Sequence, residues 1–119
     1  MPKIYESEYR FCEIVWEQEP VRSGELVRLA SEKLGWKPTT TYTVIKRLAE
    51  RGVLVNENTV VRSLVGRDEA RVSEIDELVE KKFAGSVPAF LAAFASSRTL
   101  SDKEADELRK MIEEMRKKS

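Results

Sequence analysis

The apolar positions of the chain fall into two textures. From Ser7 to Glu17, Phe11, Ile14 and Val15, with Tyr9 and Trp16 beside them, recur at helical spacing and predict a first helix that stops before Pro20. Val21 fits a short strand stub. Ser23 is a residue type that caps helix N-termini. Leu26, Val27, Leu29, Ala30 and Leu34 then form the stripe of a second helix, which Gly35 ends. Pro38 suits the first position of a third helix, whose inward face is Thr41, through its methyl, with Val44, Ile45 and Leu48. Gly52 closes that helix. Two β-branched runs, Val53–Val55 and Val60–Leu64, flank Asn56-Glu57-Asn58 and predict a short hairpin.

Beyond Gly66 the apolar stripe thins. Asp68 to Phe83 reads as a charged helix carrying Val72, Ile75, Leu78, Val79 and Phe83, stopped by Gly85. "SVPAFLAAFA" is a short apolar helix with Val87, Phe90, Leu91 and Phe94. Ser101 and Glu104 make a capping box that opens a last helix, faced by Leu108, Met111, Ile112 and Met115. The element order predicts a mainly α fold: a winged helix-turn-helix over residues 1–66, three helices plus a hairpin wing, followed by a C-terminal helical region over 67–119. Stripes this narrow do not make a self-sufficient core. The C-terminal helices are therefore expected to dimerise, through Ile75, Leu78, Val79, Phe83, Val87, Phe90, Leu91, Phe94, Leu108, Met111, Ile112 and Met115.

Composition narrows the function. The chain has 119 residues, 41% hydrophobic and 35% charged, enough for one domain, or one domain with an appendage. No apolar run approaches the ~18 residues of a membrane span, and "MPKIYESEYRF" lacks a signal-peptide core, so a cytoplasmic protein without membrane association is expected. The single cysteine, Cys12, excludes an internal disulfide and reads as a small buried hydrophobe. There is no histidine, which removes the usual general base and the usual zinc ligand together. No phosphate-binding glycine loop or nucleophile motif is present. The sequence thus predicts no catalytic residue, no metal, no cofactor and no enzymatic activity.

The third helix is the odd one. Thr39, Thr40, Thr41, Tyr42 and Thr43 are poor helix formers packed into its first turns. Formal charge over the whole chain is zero, 21 basic against 21 acidic residues. Between Lys33 and Arg51, however, Lys33, Lys37, Lys46, Arg47 and Arg51 face Glu50 alone. Hydroxyl side chains donate to phosphates and base edges, and threonine methyls pack on thymine. A helix laid in the DNA major groove therefore accounts for the composition, with Lys37, Thr39, Thr40, Tyr42, Thr43, Lys46, Arg47 and the wing residue Arg62 as contacts. Threonines that merely cap a helix start, beside an ordinary solvated face, account for it equally well on composition alone. The winged-helix order favours DNA. The alternative is a winged-helix adaptor that docks this helix on another protein.

The chain also resembles the penicillinase-repressor family of winged-helix transcription regulators (the BlaI/MecI/CopY type). The resemblance is carried by "YRFCEIVWE" in the first helix, by "WKPTTTYTVIKRLAERGVL" around the third, and by "KKFAGSVPAFLAAF" and "LSDKEADELRKMI" in the C-terminal part. It implies a homodimeric repressor that binds double-stranded operator DNA through the third helix and dimerises through the last helices. It also implies a sensor protease as partner, cutting at an Asn-Phe bond. Here Ala93, not Asn, precedes Phe94, and the C-terminal part lacks the cysteine motif of copper-responsive members.

Overall fold

The computed structural model describes residues 1–118. Six helices and a small sheet follow in order: α1 (Glu6–Gln18), β1 (Val21–Arg22), α2 (Ser23–Leu34), α3 (Pro38–Glu50), β2 (Leu54–Glu57), β3 (Val60–Ser63), α4 (Arg67–Phe83), α5 (Val87–Ser97) and α6 (Asp102–Lys117). The sheet is antiparallel with β3 in the middle, its Val61 opposite Val21 and Asn56. This is the expected mainly α architecture.

The chain divides into two compact units, Met1–Asp76 and Glu77 onward, with α4 running through the division. The first unit has one continuous core. Phe11, Ile14 and Val15 of α1 meet Leu26, Leu29 and Ala30 of α2, Val44, Ile45 and Leu48 of α3, and Val61 of the sheet. Trp36 stacks on Phe11 at 5.4 Å, and Trp16 meets the edge of Tyr9 while its indole N–H donates to the Val65 carbonyl at 2.9 Å. Both tryptophans are thus packing residues. Gly35 ends α2 in the left-handed conformation, φ +69°, where a Cβ is disfavoured.

Two local expectations are corrected. Ser23 is not the N-cap of α2. The helix begins with it, Arg22 holds the extended cap position, and no side chain caps the helix. Ser23 is buried, and its N–H donates to the Thr59 carbonyl at 2.8 Å, so the pull of the sheet overrides its capping preference. The hairpin is also displaced. Val53 belongs to the α3 exit, its N–H donating to the Leu48 carbonyl, so β2 starts one residue later. The tip is Asn58-Thr59, both at positive φ, not Asn56-Glu57-Asn58. A two-residue turn of that handedness matches the twist of the flanking strands.

Within the second unit, Phe83 meets Phe90 edge-on at 5.6 Å, and Ser101 and Glu104 form the expected capping box. Neither α5 nor α6 buries a single residue. Among the described residues of this unit only Val79 is buried.

Candidate nucleic-acid interface

α3 is pinned from one side. Pro38 occupies its first turn, where no N–H is needed. Thr41 is fully buried, and its hydroxyl back-bonds to the Lys37 carbonyl at 3.4 Å. With Val44, Ile45 and Leu48 it forms the inward face. Tertiary packing, not propensity, therefore holds this helix.

The opposite side is a ridge. Thr39, Thr43, Lys46 and Glu50 follow one another at helical spacing, with Tyr42 and Arg47 on either flank and Thr40 beside Arg47. All are exposed, Tyr42 by half. None makes a side-chain hydrogen bond or ion pair among the described residues. Three of the four threonines thus present their hydroxyls outward, and the fourth explains itself as core.

The basic cluster of the sequence splits in space. Lys33 lies 4.0 Å from Glu17 on α1. Arg51 turns inward. Its guanidinium pairs with the buried Glu8 carboxylate, donates to the Lys3 carbonyl at 2.6 Å and lies 5.0 Å over the Tyr5 ring. Glu8 in turn accepts from the Tyr5 N–H at 2.9 Å, so this cluster ties residues 3–8 to the end of α3. Lys37, Lys46 and Arg47 remain on the outward side of α3.

The wing adds a cation that the sequence concealed. Arg22 pairs with Val60 across the β1–β3 ladder, which sets it on the same sheet face as Arg62, two residues along β3. It donates to the Thr59 hydroxyl at 3.2 Å, while Arg62 reaches Glu57 at 3.4 Å. A two-residue strand leaves no periodicity to reveal such a partner. Only the outward turn of Arg22 beside the apolar Val21 hinted at it.

Three stacked helices with a β-hairpin, and a third helix bare on its outer face, define the winged-helix class. The chain matches the penicillinase repressor family over residues 4–114 and belongs to it, a family of transcription regulators and not of enzymes. It is similar to the methicillin resistance regulatory protein MecI of Staphylococcus aureus, 23% identical over 114 residues, covering 92% of this chain and 93% of that one. An uncharacterized 16.5 kDa protein from the ptsI 3′ region of Latilactobacillus sakei is 29% identical over 114 residues, 92% of this chain and 78% of its own length. Among solved structures, the monomeric form of Bacillus licheniformis BlaI, in complex with the blaP half-operator, shares the fold. Its TM-score is 0.50 at 22% identity, over 57% of this chain and 88% of that one. No described helix is long and apolar enough to cross a membrane.

Proposed function

We propose that the protein is a cytoplasmic, homodimeric repressor that reads a pseudo-palindromic operator with α3 in the major groove. The observation that carries the reading is the α3 ridge. A helix whose inner face is fully packed offers hydroxyls and cations that satisfy nothing in their own chain. Thr39, Thr40, Tyr42 and Thr43 reach base edges and sugars; Lys37, Lys46 and Arg47 neutralise phosphates; Arg22 and Arg62 meet the backbone from the wing. The BlaI complex with its half-operator supports the choice of double-stranded DNA over a protein surface. Exposed apolar side chains along α4, α5 and α6 support dimerisation through a second copy, which supplies a second α3 for the second half-site.

Fluorescence anisotropy against duplex DNA over a salt series tests it. Lys46→Ala should weaken every sequence alike and flatten the salt slope by about one unit, whereas Thr43→Ala should alter base preference. An unchanged slope in Lys46→Ala would remove that side chain from the interface. No binding by the wild type below about 100 μM at low salt, the weak end of non-specific affinity, would hand α3 to a protein partner instead.

A further inference from the structure

Glu50 is the last residue of α3 and continues the Thr39–Thr43–Lys46 line, about 16 Å along the helix axis from Thr39. Its carboxylate is exposed and makes no hydrogen bond or ion pair among the described residues. Nothing in the fold accounts for an acid at this point. In the last turn it faces the negative end of the helix dipole. Lys46 precedes it by four residues, the weaker order for a helical ion pair, and the two are not paired. The next residue, Arg51, could have offset it but is committed to Glu8. On a surface that meets phosphates the same carboxylate is repelled once more.

We infer that Glu50 is a like-charge brake on sequence-independent DNA binding. It weakens the sequence-independent attraction of α3 for phosphates, so that lasting occupancy depends on base contacts. The inference rests on α3 being the DNA-facing helix, as proposed above. A complex with random DNA is held by phosphate neutralisation, so its affinity follows each charge on the protein face. A complex with the operator adds base-edge contacts that charge does not supply. A fixed negative charge subtracts from both. The ratio of the two affinities is unchanged, but the random complex, which starts weaker, loses its occupancy first while the operator complex keeps its own.

The test uses the full chain and random-sequence duplexes, with affinity measured across a salt series for the wild type, Glu50→Gln, Glu50→Lys and Lys46→Ala. Glutamine keeps the shape and the helix and removes only the charge. Glu50→Gln should tighten random-duplex binding roughly fivefold at low salt and steepen the slope by about one unit, and Glu50→Lys by about two. Selection from randomised duplexes should return the same base preference for wild type and Glu50→Gln. Unaltered slopes in both Glu50 variants, alongside a flattened slope in Lys46→Ala, would overturn the inference and leave α3 as the DNA helix. Unaltered slopes in all three would remove α3 from the interface, and the inference with it. A new base preference in Glu50→Gln would assign the carboxylate to a base amino group and overturn its purely repulsive role.

Discussion

The two compact units of the chain treat their apolar residues in opposite ways. In Met1–Asp76, each of the first three helices buries its stripe, and Phe11, Leu26, Leu48 and Val61 lose all contact with solvent. Beyond it, Leu91, Phe94, Leu108, Ile112 and Met115 are all exposed in the single chain. Helix formation does not separate the regions. α6 has a full capping box and α2 has no side-chain cap. What separates them is the supply of facing elements. Three helices and a sheet close a core on themselves, whereas α5 and α6 bury no side chain at all. Caps and charge patterning keep such helices formed with their stripes uncovered, and in the dimer proposed above a second copy covers them.

The largest expected effect is loss of the proposed dimer. Leu108→Asp, and separately Leu78→Asp, should yield monomers by sedimentation velocity and weaken operator binding by about 10²–10⁴-fold through lost bivalency. The winged-helix unit should keep its melting behaviour. A wild-type chain sedimenting as a monomer at micromolar concentration would overturn the proposed dimer, since the exposed stripes would then be uncovered in solution too. Leu48→Ala makes the reciprocal case. Leu48 is fully buried, so its truncation should cost about 2–5 kcal/mol by denaturant titration and unfold the unit that carries α3. A cost well under 1 kcal/mol would mean that the core is far looser than its burial implies.

Much of this was legible from pattern. The helical stripes of α1, α2 and α3, the glycine exit at Gly35 and the capping box at Ser101 are local signals, and the structure keeps them. Cys12 is buried as its place in the α1 stripe suggests. Its thiol is pushed up to about 12, first by burial, then by the Glu8 carboxylate, with Arg51 opposing. Of the settings that local pattern hid, two share one cause, a partner distant in sequence, whereas Val53 is claimed by a near one. Ser23 gives its N–H to Thr59, Val53 is taken by the end of α3, and Arg22 gains its setting from β3. In the candidate site, the ridge was readable because a helix fixes which residues share a face. The fate of its cations was not, since nothing local says that Arg51 folds back while Lys46 does not.

Arg51 supplies the smallest of the expected effects and separates packing from binding within one helix. By sequence it is one more cation at the end of a DNA-facing helix. By structure it is the partner of a buried acid, with side-chain exposures of 26% for Arg51 and 9% for Glu8. Arg51→Ala strands the Glu8 carboxylate and frees residues 3–5, so it should cost about 1–3 kcal/mol of stability. Arg51→Lys, which keeps the charge but not the forked donor, should recover part of that loss. On DNA the salt slope of Arg51→Ala should match the wild type, in contrast to the flattened slope of Lys46→Ala, because a guanidinium held against Glu8 displaces no counterion from the duplex. A slope flattened by one unit with no loss of stability would mean that Arg51 leaves Glu8 for a phosphate when DNA binds. The cationic edge of α3 would then be one residue longer than the free chain presents.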